Sequence, residues 1–316
     1  MAALKRIKAN LKRYKASVLK AAVEGKLTER WRKEHPDVEP ASELLKRILA
    51  ERRRKREEDY VKKYIAAHGH APKDDSWKKK YKEPAAPDTV NLPELPKGWV
   101  WVRLGQLIDE PKYGTSKKCD YKTDGIGVLR IPNIVNGFVD NSDLKFAEFD
   151  ENEIKTYRLQ EGDILTIRSN GSVSLVGKCA LVNKSDEKYL YAGYLIKMRP
   201  LGGVVHSEYL MICLSSLSLR KQIEAKAKST SGVNNINAGE LESLMVPICR
   251  KEEQKEIIRI VDEKLSDIEH LWLEVDSLLK RAERLRQSIL KKAFSGKLVS
   301  TESDKRGHEY LAEIET

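Results

Sequence analysis

Two copies of one short segment bracket most of the chain. Ser17-Val-Leu-Lys-Ala-Ala-Val-Glu-Gly-Lys-Leu27 returns as Ser288-Ile-Leu-Lys-Lys-Ala-Phe-Ser-Gly-Lys-Leu298, identical at Ser, Leu, Lys, Ala, Gly, Lys and Leu. Copies that begin at residues 17 and 288 cannot belong to a solenoid, whose repeats recur every 20 to 50 residues or so. They read as matching ends of one architecture, with everything between them a single globular unit set between helices.

Leu4, Ile7, Leu11, Tyr14, Val18 and Leu19 recur at steps of three or four with Lys and Arg on the opposite side, which predicts an amphipathic helix. Gly25 stops it, and Gly296 plays the same part in the second copy. A second helix is expected from about Ser42, an N-cap following Pro40, to about Ala67. Its run Arg52-Arg-Arg-Lys-Arg56 reads as a solvated face, with a phosphate-contacting strip as the alternative. Residues 71–96 hold Pro72, Pro84, Pro87, Pro93 and Pro96 and read as an extended connector.

Beyond the connector the periodicity changes to that of strands. Strands are expected over residues 98–104, 128–131, 163–168, 176–182 and 195–198, with turns at Asn136-Gly137, Glu161-Gly-Asp163 and Asn170-Gly171, and a helical stretch over 207–228. After Pro247, Ile258, Val261, Leu265, Ile268, Trp272, Val275 and Leu279 follow 3-4 spacing, and Ile257, Leu271, Leu278 and Leu285 form a second stripe one step over. That is a coiled-coil helix with a widened apolar face, on the order of 65–70 Å long if continuous. A face that wide predicts packing against more than one helix, some from another chain.

The fold class is therefore α+β. Residues 1–26 form a helix, 27–96 a helical and Pro-rich linker, 97–250 a mixed α/β domain, 251–296 a long coiled-coil helix and 297–316 a C-terminal tail. The net charge of +11 over 316 residues points to a polyanionic partner. Residues 1–82 hold 25 Lys and Arg against 12 Asp and Glu, so the mixed domain is nearly neutral and must bind a polyanion through local clusters. Cys119, Cys179, Cys213 and Cys249 lack metal-ligand spacing, which predicts reduced thiols and a cytoplasmic protein. No apolar run approaches the roughly 20 residues of a membrane span.

Catalytic signatures are missing. His35, His68, His70, His206, His270 and His308 are scattered, with no HExxH arrangement. Gly171-Ser-Val-Ser-Leu-Val-Gly-Lys-Cys179 has five residues between its glycines where a phosphate-binding loop has four, and Cys where Ser or Thr must meet magnesium. No glycine fingerprint for a dinucleotide or S-adenosylmethionine occurs.

Binding groups are better supplied. Lys112, Tyr113, Thr115, Ser116, Lys117 and Lys118 combine cations, hydroxyls and an aromatic around a glycine, a mixture suited to phosphates and base edges; a plain surface loop has the same composition. Arg130 and Asn133 stand at a strand end, and Arg168, Ser169, Asn170 and Ser172 repeat the theme. Arg can pair bidentately with guanine and Asn with adenine, although an Asn-Gly turn beside a surface Arg is the other reading. Lys228, Ser229, Thr230, Asn234 and Asn235 form the richest polar stretch, ahead of Asn237, which is placed to cap a short helix. Trp99 and Trp101 read as core residues of the first strand.

These segments together resemble the specificity subunit of type I restriction-modification systems. The resemblance rests on residues 95–107, which run from Leu95-Pro-Lys-Gly-Trp to Leu107, on Leu159-Gln-Glu-Gly-Asp-Ile-Leu-Thr-Ile-Arg-Ser-Asn-Gly-Ser172, on Ser229 to Asn237, and on Val246-Pro-Ile, Glu253-Gln and Ile257-Ile. It covers nearly the whole chain. It implies that residues 97–250 are a target recognition domain and that residues 1–26 and 251–296 are conserved-region helices. The implied function is sequence-specific recognition of double-stranded DNA without catalysis, directing modification (methyltransferase) subunits and a restriction subunit. S-adenosylmethionine, ATP and magnesium are then expected on those partners and no cofactor on this chain. Where the family's plan has two recognition domains, this sequence has one, which implies a half-size form or a truncated product, with the pair restored as a homodimer through the long helices or in an assembly with modification subunits. A coiled-coil scaffold whose α/β domain binds protein is the alternative.

Overall fold

The computed structural model describes residues 1–37, 39–80, 85–122, 124–201, 203, 205–230, 232–295 and 298. Gly296 and most of the expected tail lie outside the described residues. The chain divides into two compact units, Ala16–Asp262 and, separately, Met1–Lys15 with the described residues from Glu263 on.

Helix α1 (Ala2–Val23) buries Val18, Leu19, Ala22 and Val23. Gly25 then takes φ +67°, and a Cβ there would lie 2.7 Å from Pro96 Cγ and 3.1 Å from the Trp99 ring, so both backbone and packing demand glycine. A short α2 (Glu29–Glu34) leads to α3 (Ala41–His68). This helix starts one residue before Ser42, with Pro40 at the cap position, so Ser42 lies in the first turn and does not cap it as expected. Ala41, Leu44 and Ile48 bury the first half of α3. Its second half is polar and is held by i,i+4 pairs such as Arg53 with Glu57 and by Tyr60 stacked 4.4 Å from Trp77. Trp77 stands in a 3-10 turn, Ser76–Lys80, inside the stretch expected to be extended.

The mixed domain follows as β1 (Val100–Arg103), α4 (Leu104–Leu107), β2 (Lys112–Tyr113), β3 (Ile126–Leu129), β4 (Ile134–Val135), β5 (Gly137–Val139), β6 (Lys145–Ala147) and α5 (Glu151–Tyr157). Next come β7 (Ile164–Ile167), β8 (Ser169–Asn170), β9 (Cys179–Leu181), β10 (Leu190–Tyr191) and β11 (Leu195–Met198). The domain closes with α6 (Ser207–Ser215), α7 (Leu217–Lys226), β12 (Lys228–Thr230), β13 (Val233–Asn235), α8 (Ala238–Glu242) and β14 (Met245–Ile248). Helix α9 (Lys251–Phe294) then runs unbroken for 44 residues, with Glu252 and Glu253 in its first turn and Lys291 and Lys292 in its last, charges that complement its dipole.

Six strands form the principal sheet in the order β2-β11-β7-β9-β5-β4, with β10-β3-β6 and β12-β13-β8 as smaller sheets and β1 paired to β14. Strands β7 and β11 are buried at every position, so neither alternates between an inner and a solvated face, and each carries one buried polar residue, Thr166 and Lys197. Leu129, Leu159, Leu165, Ile167, Tyr191 and Leu195 form the core around them. The Asn136-Gly137 turn adopts φ of 51° and 97° and joins Val135 to its partner Phe138, the geometry that this dipeptide favours in two-residue hairpins. The strand expected over 128–131 ends at Leu129 because Pro132 draws Ile131–Asn133 into a 3-10 turn. Residues 207–228 are two helices broken at Ser216, whose hydroxyl caps α7. Lys228, expected at the end of that helix, lies on β12.

Two polar side chains in the core are provided for. Asp163, 1 % exposed, accepts two 2.7 Å hydrogen bonds from the Arg199 guanidinium. Lys197 donates to the Arg158 carbonyl at 2.7 Å, and burial lowers its pKa to about 8. Among the described residues no helix is long and apolar enough to cross a membrane. The described residues also hold no group of three or more His, Cys, Asp or Glu that could bind a metal ion.

Candidate nucleic-acid interface

Two segments far apart in sequence, the β12-β13 hairpin and β8, meet in the β12-β13-β8 sheet. Asn234 pairs with Asn170 and Asn235 with Ser169 on one side of β13, while Lys228, Ser229 and Thr230 pair with Asn235, Asn234 and Val233 on the other. Strand β8 begins one residue after the buried β7, so the rigid principal sheet delivers Arg168 and Asn170 to this edge. The Arg168 backbone is fixed on both sides, donating to the Tyr194 carbonyl at 2.8 Å and accepting from the Ile236 amide at 3.0 Å.

Its guanidinium lies 4.7 Å from the Tyr113 ring centroid, and its Nε donates to Asn235 Oδ1 at 3.3 Å. The Tyr113 hydroxyl in turn accepts from the Ala238 amide at 3.1 Å, at the start of α8, where Asn237 is the N-cap. The cation is therefore oriented before any ligand arrives, which reduces the entropy lost when a planar fork meets a base edge or phosphate. Asn170 Oδ1 accepts from the Ser172 amide at 2.9 Å and Asn234 Nδ2 donates to the Gly171 carbonyl at 3.0 Å. Each of these carboxamides uses one end to shape the turn.

The remaining expected residues do not join this group. Thr115, only 4 % exposed, accepts from the Lys117 amide at 3.0 Å and shapes a turn. Lys117 pairs with Glu153 at 2.7 Å and holds that carboxyl below its usual range, while Ser116 and Lys118 are exposed. Arg130 pairs with Asp143 at 3.1 Å. Asn133 is removed from the candidate set, being 1 % exposed with its Oδ1 accepting from the Arg130 amide and its Nδ2 donating to the carbonyls of Asp140 and Asp143. The turn over Pro132 needs an internal partner for these backbone groups, and Asn133 supplies it.

Sequence reading missed Tyr194, which is 63 % exposed and whose carbonyl holds Arg168. The signal available was Tyr191-Ala-Gly-Tyr194, two tyrosines around a glycine just before a buried strand. It also missed the role of Gly114, where a Cβ would collide with the Tyr191 and Ala192 carbonyl oxygens. Gly114→Ala is expected to displace the Tyr113 turn, costing about 1–3 kcal/mol of stability. Urea unfolding of the full chain measures this, and an unchanged midpoint would contradict the close approach.

The long-helix stripe also needs correction. Val261, Ile268 and Val275 are buried within the chain and Ile258, Leu265, Trp272 and Leu279 are half-buried. Lys8 of α1 lies 4.6 Å from the Trp272 ring centroid and pairs with Asp276 at 2.6 Å. Of the second stripe, Ile257 is buried within the chain, while Leu271, Leu278 and Leu285 are 46 %, 42 % and 61 % exposed and are left for a partner.

A mixed domain closed on its own first and last strands, with a polar sheet at one edge, has the build of a binding module. The family model for the type I restriction modification DNA specificity domain matches residues 96–271, and the chain belongs to that family. It is 30% identical over 291 residues to the type I restriction enzyme EcoKI specificity subunit of Escherichia coli, covering 92% of this chain and 50% of that protein. It is 26% identical over 207 residues to the putative type I restriction enzyme MjaX specificity subunit of Methanocaldococcus jannaschii, covering 65% and 48%. The fold is shared with a chain from the solved structure described as "Structural basis underlying complex assembly and conformational transition of the type I R-M system", at a TM-score of 0.52 and 20% identity, over 82% of this chain and 58% of that one. The chain spans about half the length of the curated relatives it matches.

Proposed function

We propose that the chain is a non-catalytic specificity subunit that reads duplex DNA through the β12-β13-β8 edge and directs partner methyltransferase and restriction subunits to that site in the cytoplasm. S-adenosylmethionine, ATP and magnesium belong to those partners in this reading. The observation that carries it is the convergence of residues 113, 168–172, 228–230 and 233–235 on one polar sheet edge, with Arg168 held between Tyr113 and Asn235. Arg and Asn at a preformed edge suit base recognition in the major groove.

Arg168→Ala or Asn170→Ala is expected to weaken binding of the target duplex by about 1–3 kcal/mol while changing random duplex binding little. Lys118→Ala weakens all duplexes similarly. The target is found by methylome sequencing of cells expressing the chain with its modification partner, and anisotropy titrations then compare the variants. Equal losses on target and random DNA for all three would refute base reading by these side chains.

The exposed Leu271, Leu278 and Leu285 stripe supports a homodimer through α9, since seven-residue spacing is the signature of a coiled-coil seam and a twofold contact lets one patch satisfy itself. Two copies would then read an interrupted palindrome. Light scattering at micromolar concentration tests the pairing, and a monomer would count against it.

A further inference from the structure

A basic trough leads from the reading sheet along α3. Its first part, a cleft of about 810 Å³, is lined by Lys112 and Tyr113 of β2, Ala238 and Gly239 of α8, and Arg52 and Arg56 of α3. Its second part shares Arg52, Arg56 and Lys112, then continues to Lys55, Lys62 and Lys63. Lys197 of β11 and Arg199, just after that strand, also line it. Tyr113, the ring on which Arg168 stacks, stands in the trough's first part, so trough and reading sheet share a wall.

The second part is lined by eight Lys and Arg against the four carboxylates Glu58, Asp59, Asp109 and Glu110. The excess remains positive even with Arg199 paired to Asp163. Arg52 fixes α3 in place by donating to the Gly105 carbonyl, and its charge also acts on Glu242 in the wall of the first part. Residues 52, 55, 56, 62 and 63 share one face of the helix. From Arg52 to Lys63 the axis rises about 16 Å, the axial length over which one DNA strand presents on the order of five phosphates.

We infer that this face of α3 clamps the phosphate backbone of the duplex whose bases the sheet reads, supplying sequence-independent affinity. The inference rests on the DNA-reading function proposed above and extends it to a helix that lies before the recognition domain in sequence. An acidic protein segment is the competing occupant, and continuity with the reading sheet favours DNA.

The test uses the full chain and the triple variant Lys55→Gln, Lys62→Gln, Lys63→Gln. All three positions are exposed, and Gln keeps the helix propensity of Lys. Anisotropy with a random-sequence duplex is followed between about 50 and 200 mM salt, where each lost phosphate contact makes the log-log slope shallower by about 0.9. The clamp predicts a slope shallower by roughly 2 to 3 in the triple variant, with the ratio of target to random affinity unchanged. A wild-type slope that the variant retains would overturn the clamp and leave the reading intact. Wild-type protein without salt-dependent duplex binding would overturn both. A retained slope together with lost binding of poly-glutamate would overturn the clamp and assign the trough to an acidic protein.

Discussion

Glu253→Ala is expected to destabilise the Ala16–Asp262 unit by about 3–5 kcal/mol, because it removes the anion from a buried charge network. Glu253 is 1 % exposed, and its Oε1 accepts from the Thr28 hydroxyl at 2.7 Å and from Arg32 Nη1 at 2.6 Å. Its Oε2 accepts from Trp99 Nε1 at 3.0 Å, and the Arg250 guanidinium stands 3.9 Å away. One carboxylate thus ties the α2 segment, the residue before β1 and the first turn of α9 together. Its loss leaves two cations and an indole N–H in a site that water reaches poorly. Glu253→Gln keeps an acceptor without the charge and should fall between the two. Urea unfolding of the full chain measures the effect, with Lys33→Ala as a control, since an exposed pair contributes at most about 1 kcal/mol. A Glu253→Ala loss no larger than the control's would mean that the network contributes nothing net.

Raising the pH above 9 is expected to unfold the protein steeply. Cys179, Cys213 and Cys249 are buried free thiols. Burial pushes Cys179 up to about 11 and Cys213 up to about 12, and raises Cys249 well above the ordinary thiol value of 9. A group with a raised folded pKa contributes stability that is complete below the unfolded pKa and is lost as pH climbs toward the folded one. Lys197, lowered to about 8 by burial, acts in the opposite sense from pH 8 to about 10.5, where the unfolded chain still holds its proton. Three protons retained by the folded state against one retained by the unfolded state leave a net of two. Stability should therefore fall by roughly 3 kcal/mol per pH unit between about pH 9 and 10, and more steeply above that, where the phenols of Tyr191 and Tyr209, also raised by burial, stay protonated in the folded chain while unfolded phenols ionise. Urea midpoints at pH 8, 9 and 10 give the slope. Cys213→Ala should reduce it by about half, and a flat profile would show that these thiols reach water when folded.

Local pattern carried much of the architecture. Helix α9, 44 residues long, was legible because its apolar period persists from Ile257 to Leu285, and the Asn136-Gly137 hairpin because only a few dipeptides accept positive φ twice in succession. Strand β8 was not legible, since two polar residues carry no period and its partner β13 lies more than 60 residues away. The Glu253 network was hidden for the same reason. Glu253 could be quoted as part of a motif, but Thr28, Arg32 and Trp99 lie 225, 221 and 154 residues distant. The two stripes of α9 were both visible, yet periodicity alone does not say which one the chain covers itself. Of the candidate edge, sequence found Arg168, Asn170, Asn234 and Asn235 by residue type. Composition could not separate them from Asn133, whose chemistry is identical and whose surroundings use all of it.

Strand β1 runs antiparallel to β14, with Val100 opposite Ile248 and Arg103 opposite Met245. The peptide therefore enters and leaves the mixed domain through a gap of about 5 Å, the width of one ladder rung. Any other fold that begins and ends on such a rung could be spliced in its place without lengthening or shortening the chain on either side. Changing the inserted domain and preserving the helices around it become separable problems for mutation and recombination, because the chain crosses the joint through a single pair of strands.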